Sequence, residues 1–212
     1  LEYDDVMNQQ REVIYAQRRE ILRGSDLKSE IEAIISDKAD EIAEGFASPG
    51  VPPSEWDLKG LNDTVFKRFN FKLDLSEDAL ENMTPEGLGQ YIADSAMDVY
   101  RAKEAEIGEE DFRHLERIVM LQTVDSLWKD HLLNMDHLKE GIGLRGYAQQ
   151  HPLIVYKKEG FEMFQNTIER MKEETVEILF RIQVAQPDEV ESMRKPREQH
   201  LFFSGGDRPP KK

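Results

Sequence analysis

The chain has 212 residues, a net charge of −15, 39% hydrophobic residues and 33% charged residues. The hydrophobic fraction supports a core, whereas the charged fraction predicts elongated, solvated helices. The acidic balance argues against a nucleic-acid partner, because such an interface needs a clustered basic face that neutralises phosphates. A sequence without cysteine excludes disulfides and a thiolate zinc site, and it fits a reducing cytosol.

The first 47 residues predict one long helix or two coaxial helices. Gly24 and Ser25 form the candidate break, because glycine is unfavourable inside a helix and Ser25 or Asp26 can cap a restart. The helical pattern is already present at Leu1, so we expect the chain to be a segment of a longer protein. The apolar positions at helical spacing are Val6, Ile14, Ile21, Leu27, Ile31, Ile34, Ile42 and Phe46.

Residues 48–107 predict a small, separate and mostly helical lobe. A loop rich in proline and glycine opens it at residues 48–53 and marks a boundary. A helix is expected near Ser54 to Phe69, followed by a brief strand-like alternation at residues 71–75. Thr84 and Pro85 form an N-cap with proline at the first helical position, which predicts a helix to about Ile107.

Residues 108–185 predict a helical hairpin with two long arms. The first arm begins near Glu109, and the second begins at Pro152, which suits a first helical turn. Arms of about 30 residues give a rod of roughly 45 Å, which we expect to carry its tip, residues 141–152, away from any body at its base. The expected stripe positions are Phe112, Leu115, Val119, Gln122, Leu127, Leu132 and Leu138 in the first arm, and Tyr156, Phe161, Phe164, Ile168, Met171, Ile178, Leu179 and Ile182 in the second.

The tip contains Gly141, Gly143 and Gly146 at the spacing of a dinucleotide-binding motif. That motif needs a strand before it and a helix that opens from its last glycine. Here a helix precedes it and five residues separate Gly146 from Pro152, so we reject nucleotide binding at this loop. The glycines instead predict a chain reversal that adapts to a partner.

The five histidines do not show the spacings that project two metal ligands from one helix face. His131 and His137 lie six residues apart, which places them on well-separated faces of a helix. We interpret each histidine as a surface or packing residue, and the paired carboxylates as solvated helix faces. Trp128 in the first arm favours packing over binding.

Arg145 and Tyr147 are the strongest candidates for a binding role, with Gly146 and Gln149 beside them. A glycine-flanked loop at the tip of a rod has little core to pack against, so an aromatic ring and a guanidinium there favour contact with a partner. Stabilisation of the turn itself is the alternative.

Two stretches carry a family resemblance: LEYDDVMNQQR at the start and LQTVDSLWKDHLLNMDHLKEGIGLRGYAQQHP across the hairpin. Both resemble the C-terminal half of the SecA family of bacterial preprotein translocase ATPases. The likeness covers about residues 1–185 and is looser in the middle lobe. It implies an all-α fold: residues 1–47 as the long helix of a helical scaffold, 48–107 as a helical wing domain, and 108–185 as the second scaffold part with a two-helix finger.

The resemblance also implies residue roles. Tyr147 matches a fingertip tyrosine that contacts the preprotein, and Arg145 matches a basic residue of the same tip. Trp128 and Leu144 fall in an arm that regulates ATP hydrolysis. The implied partners are the SecYEG channel, an unfolded preprotein and the parent's own ATPase lobes, at the inner face of the plasma membrane.

Several family parts have no counterpart in this chain. This chain lacks the nucleotide-binding lobes that hold ATP and Mg²⁺, and it lacks the cysteine-rich tail that holds Zn²⁺. We therefore expect no cofactor and no ATP hydrolysis here.

Residues 186–212 are predicted to form a flexible linker, with a docking peptide around Leu201 to Phe203 as the alternative. Exposed apolar surface predicts possible self-association. The rival function is an acidic helical adaptor that docks a basic protein, and a bundle enzyme with a carboxylate metal site is disfavoured.

Overall fold

The computed structural model describes residues 2–24, 26–81, 83–144 and 151–183, with only the backbone described at Glu77, Gly143 and Leu144. These ranges contain helices and no strand, which confirms the all-α fold class. A 3-10 turn at Pro53–Glu55 precedes α3. The α-helices are α1 (Glu2–Arg23), α2 (Leu27–Phe46), α3 (Leu58–Phe69), α4 (Glu77–Leu80), α5 (Pro85–Ile107), α6 (Glu109–Leu144) and α7 (Pro152–Arg181).

The break between α1 and α2 occurs at the predicted glycine. Gly24 has φ +68°, a left-handed conformation that residues with a Cβ rarely adopt, and an ideal Cβ there would lie 2.3 Å from Nη2 of Arg117. Asp26 occupies the N-cap of α2, but its side chain makes no capping hydrogen bond. The break is therefore confirmed. Of the two candidate caps, Asp26 does not cap through its side chain, and Ser25 lies outside the described residues.

Two other helix starts rest on side-chain caps. Oδ1 of Asp57 accepts a hydrogen bond from Gly60 N at 2.9 Å, and Oγ1 of Thr84 accepts one from Gly87 N at 3.0 Å. Thr84 thus caps α5 with Pro85 at its first position, as the sequence predicts. The cap at Asp57 delays α3, which begins at Leu58 rather than near Ser54.

The strand-like alternation at residues 71–75 is irregular in the structure. The backbone of Leu73 pairs with one side chain instead of with a strand. Its N–H donates to Oδ1 of Asn62 at 2.9 Å, and its carbonyl accepts from Nδ2 of Asn62 at 3.3 Å. A side chain of α3 therefore satisfies the polar groups that a neighbouring strand would otherwise have paired.

Residues 1–182 form one compact unit, within which α2 packs extensively against α5 and also contacts α3, α6 and α7. The largest fully buried side chains of this unit include Phe69, Tyr100, Phe112 and Phe180. The segment 48–107 belongs to this unit, and its boundaries as a wing domain stay a prediction.

The hairpin is formed by α6, of 36 residues, and α7, of 30 residues. The arms are antiparallel: His131 contacts Thr167, and further along the arms Met135 lies against Gly160. A Cβ at Gly160 would lie 2.7 Å from Cε of Met135, so glycine lets the arms approach closely here.

Four details of the predicted hairpin are wrong. The helix α6 continues to Leu144, so Gly141 and Gly143 are helical and do not begin the reversal. Phe161 is 57% exposed, Ile178 is 39% exposed and Gln122 is exposed, although all three were expected on the apolar stripe. A periodic pattern marks a face, but it does not tell which part of that face a neighbour covers.

The hairpin is also not a free rod, because α1 lies along both of its arms. Asp4 pairs with Lys139 at 3.6 Å, and the rings of Tyr3 and Tyr156 are 4.8 Å apart between centroids. Closer to the base, a half-exposed ion pair joins α1 to Asp125 of α6 at 2.9 Å. The expectation that the tip lies away from any body stays a prediction, because residues 145–150 lie outside the described ranges. No helix in the described ranges is both long and apolar enough to cross a membrane.

Candidate functional site: the joint between α1 and the hairpin

The predicted contact residues of the tip, Arg145, Gly146, Tyr147 and Gln149, lie outside the residues that the structure describes. Leu144 is the last residue of α6, and its side chain lies outside the description as well. The roles of these residues in contact and regulation stay predictions.

Trp128 is the predicted site residue that the structure places in full. It is 8% exposed, its ring stacks on the imidazole of His131 at 5.4 Å between centroids, and it meets Phe164 edge-on at 6.4 Å. These contacts join α6 to α7 where α1 packs on both. Trp128 is therefore a packing residue of the joint, and its regulatory role stays a prediction.

A polar layer crosses the joint next to Trp128. It consists of the side chains of Gln10 in α1, His131 in α6 and Thr167 in α7, together with the carbonyl of Gly160. The Gln10 amide donates to the Gly160 carbonyl at 3.1 Å, and its oxygen lies 2.8 Å from Nε2 of His131. Thr167 Oγ1 lies 3.2 Å from Nδ1 of His131. One glutamine thus bridges both arms of the hairpin.

The hydrogen bonds determine where the imidazole proton lies. Because the Gln10 amide group donates to Gly160, its oxygen is the acceptor, and Nε2 of His131 must carry the proton. The Thr167 hydroxyl donates its proton to the Met163 carbonyl at 2.8 Å, and its oxygen lies 3.2 Å from Nδ1 of His131. His131 is 1% exposed, and burial lowers its pKa below 6.5. The layer therefore holds a neutral histidine.

The polar layer lies between two separate apolar clusters. On the base side, Ile14 and Trp128 belong to the main core. On the tip side, a small cluster contains Met135, Ile142 and Tyr156, with Tyr3 and Val6 packed against it. Among the described residues, the interior of the joint is thus apolar on its base side and on its tip side, and the polar layer lies between these two clusters.

Gln10 and Thr167 were not predicted as site residues, and His131 was predicted only as a surface or packing residue. A signal was nevertheless present. In α1 the inward positions follow a spacing of three and four residues that places Gln10 in the seam of Met7, Ile14 and Ile21. His131 occupies the equivalent place in the seam of α6. A polar residue at such a position predicts a buried polar contact.

At the base of the joint, Lys38 of α2 binds α7. Its ammonium group is buried and lies 2.8 Å from Glu169, 2.6 Å from Glu41 and 3.6 Å from Glu173. Burial by itself lowers the pKa of Lys38, but the hydrogen bonds to Glu169 and Glu41 outweigh it, so the pKa lies above its ordinary value. The amine is therefore charged and holds α2 against the second arm.

A second network fixes α5 to the start of α6. The hydroxyl of Tyr100 donates to the fully buried carboxyl of Glu116 at 2.5 Å and accepts from Arg113 at 3.0 Å. Arg113 also pairs with Glu104, which lies 2.9 Å from Lys28 of α2. Burial raises the pKa of Glu116, although Tyr100 and Arg113 oppose the shift. Two cations balance two carboxylates in this network, as burial requires.

The described part of the chain contains no group of three or more side chains suited to hold a metal ion. Several polar side chains instead bridge helices: the buried Gln10 contacts both arms, the buried Lys38 binds α7, and the partly buried Arg113 links α6 to α5. The arrangement is suited to fixing long helices relative to one another.

The chain matches the SecA wing and scaffold domain over residues 1–183. It is 58% identical to the protein translocase subunit SecA of Desulforapulum autotrophicum, over 98% of this chain and 25% of that protein. Identity is 44% to the subunit of Geotalea uraniireducens, over 99% and 24%, and 46% to that of Pelobacter propionicus, over 96% and 23%. The chain thus spans about a quarter of the length of these relatives. It belongs to the SecA wing and scaffold domain family.

Proposed function

We propose that this chain is the transmission segment of a SecA-type motor, which couples ATP-driven motion to preprotein translocation and regulates ATP hydrolysis. Membership of the wing and scaffold family supports this proposal, as does the similarity of the chain to protein translocase subunits SecA. The segment itself does not hydrolyse ATP. ATP and Mg²⁺ bind to motor lobes elsewhere in the parent protein, and Zn²⁺ binds to a cysteine-rich tail; this chain has no cysteine to supply a thiolate ligand.

The observation that carries the proposal is the pairing of α1 with both arms of the hairpin. Contacts between α1 and α6 run from Arg18–Asp125 to Asp4–Lys139, which is about 20 Å along α6. A displacement of α1 along this length moves α6 with it. Because Gln10 also contacts α7, the second arm follows.

The hairpin has the length and stiffness that a lever requires. Its arms of 36 and 30 residues correspond to about 54 and 45 Å. Helices packed along a shared apolar seam resist bending, because a bend opens gaps among close-packed side chains. A small rotation near Lys38 and Glu169 at the base becomes a larger displacement at the tip.

The tip contacts the translocating polypeptide through Tyr147, with Arg145 beside it. An aromatic ring suits varied sequences because it offers contact area without demanding one hydrogen-bond pattern. The partners are the SecYEG channel, an unfolded preprotein and the parent's ATPase lobes, so the protein works in the cytoplasm at the inner face of the plasma membrane. Exposed apolar side chains such as Ile154 and Phe161 also predict self-association.

The test is Tyr147→Ala in the full-length protein, with Tyr147→Phe as the matched control that keeps the ring. Translocation of a preprotein into membrane vesicles and ATP hydrolysis are measured together. We expect the alanine variant to lose translocation while it still hydrolyses ATP, and the phenylalanine variant to retain both. Unchanged translocation by the alanine variant would reject the lever.

A direct observation separates the lever from the acidic adaptor that the charge of −15 also permits. A photoreactive or thiol cross-linker is placed at position 147 through Tyr147→Cys, in a parent freed of other reactive cysteines. Cross-links to a stalled translocating chain support contact at the tip. Cross-links to a folded basic protein, without any to the moving chain, support the adaptor.

A further inference from the structure

We propose that Gln10 is a positioning residue which fixes the axial register of α1 on the hairpin. This inference concerns the joint itself and does not rest on the proposed function. Its basis is the polar layer of Gln10, His131, Thr167 and the Gly160 carbonyl.

Gln10 is the α1 residue that supplies the two polar contacts of this layer. It is 7% exposed, it donates to the Gly160 carbonyl of α7, and it accepts from His131 of α6. Both bonds are directional and require donor and acceptor within about 3 Å, so they define one position of α1 along the hairpin.

A shift of α1 by one helical turn removes these contacts. The residues one turn from Gln10 on the same face are Val6 and Ile14, and neither carries a polar side-chain atom. A shift in either direction would therefore set an aliphatic side chain against His131 and leave its Nε2 proton buried without an acceptor. A move of the imidazole proton to Nδ1, where the Thr167 oxygen can accept it, would still leave Nε2 buried without a partner.

The other contacts along α1 specify its register more weakly. The apolar clusters above and below the layer attract without direction, so aliphatic side chains one turn apart substitute for each other. The ion pairs of Arg18 with Asp125 and Asp4 with Lys139 are half exposed and cost little to exchange for water. Movements by one helical turn are a known mode of helix displacement.

The experiment measures the distance between α1 and α7 in the full chain by pulsed electron spin resonance. The sequence has no cysteine, so spin labels at Arg19→Cys and Ile154→Cys label no other site; both positions are exposed, and they lie well apart along the hairpin axis, so that an axial slip changes the distance between them. We compare the wild-type background with Gln10→Met, which keeps length and volume but removes the amide. We expect one narrow distance distribution in the wild type, and in the variant a second population displaced by about 5 Å, one helical turn.

A double variant, Gln10→Met with His131→Leu, keeps the test decisive if the single variant does not fold. It removes both polar partners together, while Thr167 keeps its bond to the Met163 carbonyl and Gly160 stays within its helix. We expect a folded protein with more than one register. The matched control is Gln90→Met, which removes an exposed glutamine bonded within α5 and should leave one distribution.

A distribution in the double variant that superimposes on the wild type overturns the proposal, because apolar packing alone then sets the register. Failure of the double variant to fold also overturns it, since the layer would then be needed for folding itself. A second population in the Gln90→Met control would show that the change is not specific to the joint, and it would overturn the proposal as well.

Discussion

Replacing His131 by glutamine should remove a specific pH dependence from the stability of the fold. Burial lowers the pKa of His131 below 6.5, and the imidazole contacts Gln10 and Thr167 rather than a carboxylate. When the pH falls through 6.5, the His131 imidazole binds a proton in the unfolded chain but stays neutral in the folded chain. The stability that the neutral imidazole contributes is therefore present above this pH and is lost as the pH falls.

The size of the effect follows from the proton uptake of the unfolded chain. For an ordinary imidazole pKa of 6.5, acidification from about pH 7.5 to about pH 5.5 favours the unfolded state roughly tenfold. If the buried imidazole stays neutral throughout, this factor corresponds to about 1.4 kcal/mol of unfolding free energy. Two glutamates, the partly buried Glu30 and the buried Glu116, have raised pKa values and contribute with the opposite sign. They are present in both proteins, so their contribution cancels in the difference.

The assay is urea unfolding followed by far-ultraviolet circular dichroism at several pH values in this range. The wild type should lose up to about 1.4 kcal/mol more than His131→Gln on acidification. The control, His137→Gln, removes an exposed imidazole from the same helix without touching the polar layer. Parallel pH profiles for the wild type and His131→Gln would refute the buried neutral histidine.

Two further predictions concern helix ends. Gly24→Ala places a Cβ at φ +68°, 2.3 Å from Nη2 of Arg117, so we expect a loss of at least about 1 kcal/mol in urea unfolding; an unchanged midpoint would contradict it. Thr84→Ala removes the cap of α5 and should cost about 1 kcal/mol. Ser76→Ala, at an N-cap that makes no side-chain bond, is its matched control, and equal losses in the two variants would argue against the cap.

Features set by local chemistry were predictable from the sequence. The break at Gly24 needs only a residue that tolerates positive φ, and the start of α5 needs only a hydroxyl and a proline in the first turn. The two arms of the hairpin follow from a period that extends over 30 residues or more. The all-α fold class follows from the same signals.

Features that depend on a distant partner were not predictable in this way. The alternation at residues 71–75 does not reveal that Asn62 satisfies the backbone of Leu73. The helical pattern of α1 gives its inward face but not the helices that cover it, so its packing along both arms was missed. Phe161 is a second example, because the apolar period predicts a buried side chain there and the structure leaves it exposed.

In the lever that we propose, the polar layer supplies a property that an apolar seam alone lacks. An apolar seam stabilises the packing of α1 on the hairpin in any register that buries the same area. Leaving the buried Nε2 proton of His131 without Gln10 costs about 1–3 kcal/mol, so a slip by one turn is disfavoured roughly 5- to 150-fold. The layer thus adds little to the total stability but much to the choice between registers. A lever that transmits displacement along α1 needs this property, because a joint that slips by one turn loses the motion it receives.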